Sequence, residues 1–446
     1  MNPPLLYVII INWNGREHLD ACFRSLQASA GENVAFLLVD NASTDGSVDF
    51  VRETFATDPR VAILALPENR GWSGGNNAGI EHARTAGADY LFLLNNDTAV
   101  EPGALEALVE RMEAAPAIGA LSPRMVLFDQ PDILNSTGIC LSLIGAAWDI
   151  GLGRIDCARW HEPEPVAGVC GGAMFLRASA LDKTGLFPED FEIYLDDLDL
   201  CLRLWNAGYT IETCPGAIVR HKFSATMGAG PRARHKYYLN TRNRFRIVLR
   251  HFPVAALPRI LPRIALGEVR ALGRAVLSGA FWRVPAHIRA WFAALAYLPA
   301  ANRFRREHAV PANPAFWPMV RTAPLFCPAV LFPENGWYPP VLYDGLQVWP
   351  MARRASVDVP AGTLQVSLVN CYPACGDVRI ALYLNDSPLG ECHAPQGAET
   401  TFTVEVGTLT IVANSLFPLE ETSARADAGA WLRLQCNGRP LDLTGE

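Results

Sequence analysis

The first eleven residues carry an apolar run, but they lack the basic stretch before it and the small-residue cleavage pattern after it that a secretory leader needs. They read as a first buried strand. A disulfide framework is lacking too. The eleven cysteines are odd in number, scattered and mostly set in apolar runs, as at Cys170, Cys201 and Cys214, which is the pattern of reduced thiols and of a cytosolic compartment. Cys371 and Cys375 stand four apart without a second Cys/His pair, which disfavours a zinc site there. Low-complexity segments and internal repeats are missing. With half of its 446 residues hydrophobic and 19% charged, the chain is not a disordered one, and its length predicts two or three folding units.

Acid is nearly absent from one stretch. Residues 232–306 hold 16 Lys/Arg and a single acid, Glu268, so the remainder carries 22 bases against 44 acids within a net charge of −7. The stretch is helical in pattern and apolar-rich, yet has no uninterrupted apolar run of 18 residues. That combination points to helices lying on an anionic membrane surface rather than spanning it. Phe281, Trp282, Trp291, Phe292 and Tyr297 are the residues expected to insert. The alternative is that the apolar face packs on a neighbouring domain and the arginines pair with the acidic remainder. Pro253, Pro258, Pro262, Pro285 and Pro299 should each break or kink a helix, so several short helices are expected.

From Leu6 to about Pro123, short apolar runs (LYVIII, VAFLLVD, VAILAL, YLFLLNND) alternate with amphipathic stretches, which predicts a parallel sheet covered on both faces. Ligands bind such sheets outside the carboxyl ends of the strands. This directs attention to Asn12, Asp40, Asn41, Asn95, Asn96 and Asp97. Residues 124–230 continue with the strand VCGGAMFLR and a helix from near Asp196 to Gly208. After a Pro- and aromatic-rich stretch the pattern changes to period two (ASVDV, TLQVSLVN, VRIALYLN, TFTVEV, TLTIVAN, AWLRLQC), the mark of an antiparallel β-sandwich.

Each candidate site has an ordinary alternative. A strand-end Asp such as Asp40 can accept hydrogen bonds from a ribose or a base, but Asn, Asp, Ser and Gly also dominate plain turns. The segment NRGWSGGNNAGI, Asn69 to Ile80, is a loop opening a helix whose free N–H groups suit a phosphate; a tight turn without a ligand is the other possibility. Asp97 follows a strongly apolar strand, where a carboxylate holds Mg²⁺ or Mn²⁺ against a diphosphate or merely closes an Asx turn. Asp196, Asp197 and Asp199 crowd the first turn of a helix; the dipole favours acids there, but three repel one another. His221 ends an apolar strand and is by itself compatible with a surface or core histidine.

Taken together and in order, VIIINWNG, LLVDNASTDGS, ENRGWSGGNNAGI, LFLLNNDT, GGAMFLR, GLFPEDFEIYLDDLDLCLRLWNAGY and IVRH resemble the family 2 inverting GT-A fold glycosyltransferases, especially rhamnosyltransferase-like and galactofuranosyltransferase-like bacterial members. The resemblance covers about residues 5–250. It implies an α/β fold with a Rossmann-like mixed sheet in a catalytic domain over residues 1–230. A basic helical segment at 231–310, a linker at 311–335 and the β-sandwich module at 336–446 follow. It further implies donor-side roles for Asn12, Asp40, Asn69, Gly71, Asn76 and Asn96, and a divalent cation (Mg or Mn) at Asp97 and His221. The general base would be Asp197, within an acceptor-side acidic cluster with Asp196 and Asp199. Asn95-Asn96-Asp97 departs from the family's acidic motif, in which relatives often carry acids at the two amide positions. The expected reaction takes a sugar from a nucleotide-diphosphate sugar, dTDP-rhamnose or a UDP-sugar, to a saccharide or lipid-linked saccharide. It would run on the cytoplasmic face of a membrane with no nucleic-acid partner. A glycan- or nucleotide-sugar-binding protein without turnover and a nucleotidyltransferase are the competing classes. In the sandwich, Trp337, Tyr338 and Trp349 either stack on sugar rings or fill the core.

Overall fold

Runs of Val, Ile, Leu and Phe that alternate between two buried faces form the centre of the first sheet. In the computed structural model these are β1 (Leu6–Asn12), β2 (Val34–Asp40), β3 (Val61–Ala65) and β4 (Tyr90–Asn95), all mutually parallel, with α1 (Arg16–Ser29), α2 (Ser47–Thr54) and α3 (Gly71–Thr85) between them. The structure describes residues 3–321 apart from 32, 132, 155, 157–159, 223–230, 278 and 313. Beyond that it describes 341–343, 346–351, 354–369, 378–394, 398–413, 430–437 and 439–441.

The second half of the sheet is mixed. It is built from β5 (Thr98–Val100), β6 (Ile118–Leu127), β7 (Leu134–Ser136), then β10 (Ala173–Arg177) and β11 (Thr210–His221), in the order β3-β2-β1-β4-β10-β6-β11-β5 with β7 beside β6. A short sheet of β8 (Ile139–Ser142), β9 (Ala147–Asp149) and β12 (Val320–Arg321) stands apart from it. Val8, Phe36 and Phe92 face a core closed by α1, α2 and α4 (Ala104–Ala114). Ile9, Leu37 and Leu91 face the other core, which takes in α3, α5 (Leu181–Thr184) and α6 (Asp196–Asn206). Each fully buried Leu, Ile or Phe contributes about 1.5–3 kcal/mol, so the register that keeps this alternation is strongly held.

The basic stretch forms α7 (Pro231–His251), α8 (Leu257–Leu277) and α9 (Arg283–Glu307). This corrects the expectation of several short helices. Pro258 and Pro285 sit in first turns, where a missing N–H costs nothing. Pro262 and Pro299 lie inside their helices. An internal proline costs about 3 kcal/mol, yet buried Ile260, Ile264 and Ala275 on α8, and Ala290, Ala301 and Phe304 on α9, hold both helices through it. Phe245, Ile247 and Val248 of α7 share the core of the sheet's α3/α6 face. A compact unit accordingly runs over Met1–Gly151 and Asp156–Pro324.

The second unit comprises Leu152–Ile155 and Leu325–Glu446. Its period-two runs form two antiparallel sheets. One contains Gly362–Val369, Ala398–Val404 and Ala430–Cys436; the other contains Arg354–Val359, Val378–Leu384, Ser387–Ala394 and Gly407–Ala413. Leu364, Val366 and Leu434 from the first and Ile380, Leu382 and Ile411 from the second meet in one core. Trp337, Tyr338, Cys371 and Cys375 lie outside the described residues, as does the side chain of Trp349. Among the described residues no helix is long and apolar enough to cross a membrane.

Candidate active site

The parallel strands end together, and their last residues are tied to one another. Asn12 Nδ2 donates to Asp40 Oδ1 at 2.9 Å and to Ser43 Oγ at 3.1 Å, Ser43 N donates to Asp40 Oδ2 at 2.9 Å, and Asn96 Nδ2 donates to Asn12 Oδ1. Asn12 and Asp40 are buried. A Cβ on Gly15 would lie 2.0 Å from Asn96 Nδ2, so only glycine lets the β1 turn pass this amide. The ends of β1, β2 and β4 thus form one polar floor from residues 84 positions apart in the chain.

Asp97 and His221 meet because β5 pairs antiparallel with the end of β11. His221 Nε2 lies 3.3 Å from Asp97 Oδ1. The other ring nitrogen, Nδ1, is hydrogen-bonded to Asn135 Oδ1, so the amide oxygen takes the Nδ1 proton and leaves the Nε2 lone pair facing a carboxylate. Asp97 Oδ1 is buried without a hydrogen-bond partner. An orphaned carboxylate oxygen beside an imidazole lone pair is a donor set that fits a divalent cation. Among the described residues no third His, Cys, Asp or Glu joins this pair, so its remaining positions suit phosphate oxygens and water.

The three acids of α6 part company. Asp197 is half-buried; its Oδ2 accepts the Gly171 N–H at 3.0 Å and its Oδ1 that of Leu198 at 2.7 Å. Burial, and then the Asp196 carboxylate beside it, push its pKa well above the usual carboxylate range. Asp196 is buried and raised as well, chiefly by desolvation, and accepts from Ser73 Oγ. Asp199 does not join them. It is fully buried and bound to Arg203 Nε at 3.0 Å, Arg250 Nε at 3.0 Å and His251 Nε2 at 2.7 Å. Burial would raise its pKa, but the Arg250 and Arg203 charges outweigh it and hold the carboxyl below its ordinary range. His251 is kept neutral, its pKa depressed to about 4 by desolvation. Asp199 therefore anchors α7 to α6 and is spent before any acceptor can reach it.

The glycine-rich segment differs from its sequence reading. Residues 71–85 are α3 itself, not a loop, and Gly71 with φ 71° makes the turn into it. A Cβ on Gly75 would meet Ile11 Cδ1 at 2.3 Å and one on Gly79 would meet Ile9 Cγ2 at 2.6 Å, so these glycines let α3 lie close on β1. The Gly71 N–H is taken by Asn69 Oδ1 at 2.8 Å. Asn76 is fully buried, donates to Trp72 O at 3.0 Å, and has an unpartnered Oδ1.

Several residues of the site had no role assigned from the sequence, although Trp72 and Gly171-Gly172 lie in segments that carry the resemblance. Trp72 Nε1 donates to Asn95 Oδ1 at 3.2 Å. A Cβ on Gly171 would lie 2.8 Å from the Trp72 ring and 3.3 Å from Asp197 Oδ2, and one on Gly172 would lie 3.6 Å from both Asn95 Nδ2 and His221 Cε1. The Gly171-Gly172 pair thus lies between Asp197 on one side and Asn95 and His221 on the other. Asp149 ends β9 with a buried, unpartnered Oδ1, and burial raises its pKa. Asn243 on α7 is fully buried; its Nδ2 donates to Phe191 O, Ile193 O and Tyr194 O at 2.9, 3.0 and 2.9 Å. It clamps a loop in which Glu192, Tyr194 and Leu195 all have positive φ, immediately before α6.

A mixed sheet whose parallel strands end in amides and carboxylates, faced by an acidic helix start, is the GT-A arrangement of glycosyltransferases. Residues 7–184 match the family model described as Glycosyl transferase family 2, so this segment is a family 2 glycosyltransferase domain. It is 29% identical over 248 residues to an N-acetylglucosaminyl-diphospho-decaprenol L-rhamnosyltransferase of Mycobacterium tuberculosis, covering 51% of this chain and 79% of the relative. An N-acetylglucosaminyltransferase of Sinorhizobium fredii is 27% identical over 277 residues, 60% and 64% of the two chains. Among solved structures, the chain is similar to the mannosyltransferase PcManGT of Pyrobaculum calidifontis in complex with GDP-Man and Mn²⁺ at a TM-score of 0.42 and 17% identity, covering 68% of this chain and 87% of that one. It is similar to GalNAc-T7 with UDP, GalNAc and Mn²⁺ at a TM-score of 0.49 and 13% identity, covering 83% and 66%.

Proposed function

We propose that this family 2 glycosyltransferase is an inverting enzyme that moves a sugar from a nucleoside-diphosphate sugar to a saccharide or lipid-linked saccharide in bacterial surface polysaccharide synthesis. The observation that carries the proposal is Asp197: a half-buried carboxylate of raised pKa, held by the Gly171 amide across the Gly171-Gly172 pair from Asp97 and His221. A base of raised pKa takes a hydroxyl proton more readily than an ordinary carboxylate, and such help is typically worth about 10² to 10⁴ in rate. Asp197 accepts the acceptor's hydroxyl proton while that oxygen attacks the anomeric carbon opposite the leaving group, and one displacement inverts the configuration. Asp97 and His221 are the residues that would hold Mg²⁺ or Mn²⁺, which when bound supplies charge stabilisation to a departing diphosphate. Asn12, Asp40 and Asn96 form the floor proposed for the nucleoside, with Asn69, Gly71 and Asn76 behind it.

The relative's name, a rhamnosyltransferase acting on a decaprenol-linked sugar, supports dTDP-rhamnose as donor and a lipid-linked acceptor. With a lipid-linked acceptor the reaction takes place at a membrane, and the proposal puts the chain peripherally on its inner face. Incubation with a panel of nucleotide sugars and Mn²⁺ tests the reading: slow release of nucleoside diphosphate and free sugar is expected from one donor. Formation of a nucleoside triphosphate and a sugar 1-phosphate when pyrophosphate is added would instead identify a nucleotidyltransferase, and no product from any donor would leave a binding protein.

A further inference from the structure

We propose that the outward faces of α8 and α9 form a docking surface for an anionic phospholipid bilayer, with a groove beside Arg259 and Arg263 receiving a lipid phosphate. This gives the peripheral attachment proposed above a particular surface. Because it is read by binding and not by turnover, it stands or falls separately from glycosyl transfer.

α8 is divided into arcs. Ile260, Ile264, Glu268 and Ala275 are buried, whereas Leu261, Leu266, Val269, Val276 and Leu277 are 49–89% exposed on the opposite side. Arg259, Arg263, Arg270 and Arg274, at spacings of four, seven and four, run along one border of the apolar arc. On and just before α9, Phe281, Phe292 and Leu295 are 62–68% exposed. Large apolar side chains exposed in such a group mark an interaction surface. The aromatic residues expected to insert divide accordingly. Phe281 and Phe292 point outward, but Trp291 Nε1 donates to Glu268 Oε2 at 2.7 Å, the Tyr297 hydroxyl accepts from Arg250 Nη1 at 3.3 Å, and Trp282 stands edge-on to Tyr237.

Charge selects the occupant. Four α7 arginines are spent within the chain: Arg242 on Glu192, Arg246 on Asp190, Arg250 on Asp199 and Arg244 on Glu268. Arg259, Arg263 and Arg270 have no carboxylate partner among the described residues. Glu268, the single acid of residues 232–306, is turned inward, so up to Arg306 the exposed face combines hydrocarbon with positive charge, and Glu307 stands only at the end of α9. A second copy docked on this face would set arginine against arginine. An anionic bilayer supplies both hydrocarbon and phosphate. The groove, lined by Leu143, Pro253, Ile260 and Trp317 with Arg259 and Arg263, pairs an apolar wall with two guanidinium groups.

The test is flotation of the full chain with phosphatidylglycerol-containing vesicles and with pure phosphatidylcholine vesicles. Much stronger binding is expected to the anionic vesicles than to phosphatidylcholine alone, falling with salt to the residual level of the neutral vesicles. Each basic residue near such a surface contributes about a fivefold factor, so Arg259→Gln with Arg263→Gln should lower partitioning about thirtyfold at an unchanged Tm. Phe292→Ser with Leu295→Ser should remove the part that survives high salt. Failure of the wild-type chain to float at low salt would overturn the proposal, as would wild-type flotation of both double variants. Inorganic phosphate that displaces the chain more than chloride of equal ionic strength would also overturn it, by assigning the groove to a soluble anion. Self-association abolished by Leu295→Asp would reassign the face to a second copy.

Discussion

Replacing Asn243 by alanine probes how α7 sets the start of α6. The amide donates to three carbonyls of the loop 191–194 from a position with no solvent exposure. Three residues of that loop and its junction with α6 sit at φ 63–69° without being glycine, a conformation that costs about 1–3 kcal/mol per residue and persists only where its surroundings enforce it. A net buried hydrogen bond contributes about 1 kcal/mol, and a buried acceptor left unpaired costs about 1–3 kcal/mol. Three acceptors partly rehydrated after truncation therefore put the loss at about 2–4 kcal/mol, or about 3–6 °C in Tm for a unit of this size. Leu195 precedes Asp196 directly, so relaxation of its φ swings the first turn that carries Asp197. Turnover should fall at least about tenfold, whereas affinity for a nucleoside diphosphate with Mn²⁺ should change less than about twofold, because Asp97 and His221 stand on other elements. Asn243→Asp keeps the shape but has no N–H to donate, and should be at least as damaging. Scanning calorimetry, initial rates and titration calorimetry on the same preparations separate the effects. A Tm within 1 °C of wild type would remove the clamp, and a lower Tm with wild-type turnover would reduce it to a stability device.

Asp197→Asn should lower turnover at least about a hundredfold with donor binding nearly intact; turnover within a few fold of wild type would exclude it as the base. Asp97→Ala and His221→Ala should each weaken Mn²⁺-dependent nucleoside diphosphate binding, and unchanged affinity for both by calorimetry would remove the cation from this pair. Because Asp197 must be deprotonated to act and its pKa is raised, kcat/KM should climb with pH to a plateau well above pH 4. Asp196→Asn should shift that limb to lower pH by removing the like charge, and an unshifted profile would contradict the coupling. His251, neutral in the fold down to about pH 4, protonates in the unfolded chain below about 6.5, while Asp199 contributes only above about 3.9. The His251 contribution to stability should be flat above pH 7 and fall by about 3 kcal/mol as pH drops from 6.5 to 4, opposed over that range by Asp197 and Asp196, whose raised pKa values favour the fold as pH falls; a stability difference between wild type and His251→Gln that stays constant from pH 7 to 4.5 would contradict it.

The repeating patterns of the chain were readable without coordinates. Val, Ile, Leu and Phe in β1, β2 and β4 report a sheet buried on both faces, and alternation in the second unit reports sheets buried on one, because burial imposes its period on consecutive residues. The polar residues ending those strands were visible for the same reason. What adjoins them was not. Asp199 looks like its neighbours Asp196 and Asp197 until Arg250 and His251, more than fifty residues later, arrive with α7. The glycines of α3 look like a phosphate loop until Ile9 and Ile11 fill the space beside them. Pro262 and Pro299 look like breakers until packing on the common core outweighs a lost hydrogen bond. Asn243 and Asp149 show nothing at all locally. Periodicity is a property of neighbours along the chain, whereas desolvation, ion pairing and steric closeness depend on which distant groups share the same few ångströms, and only the tertiary structure assigns those.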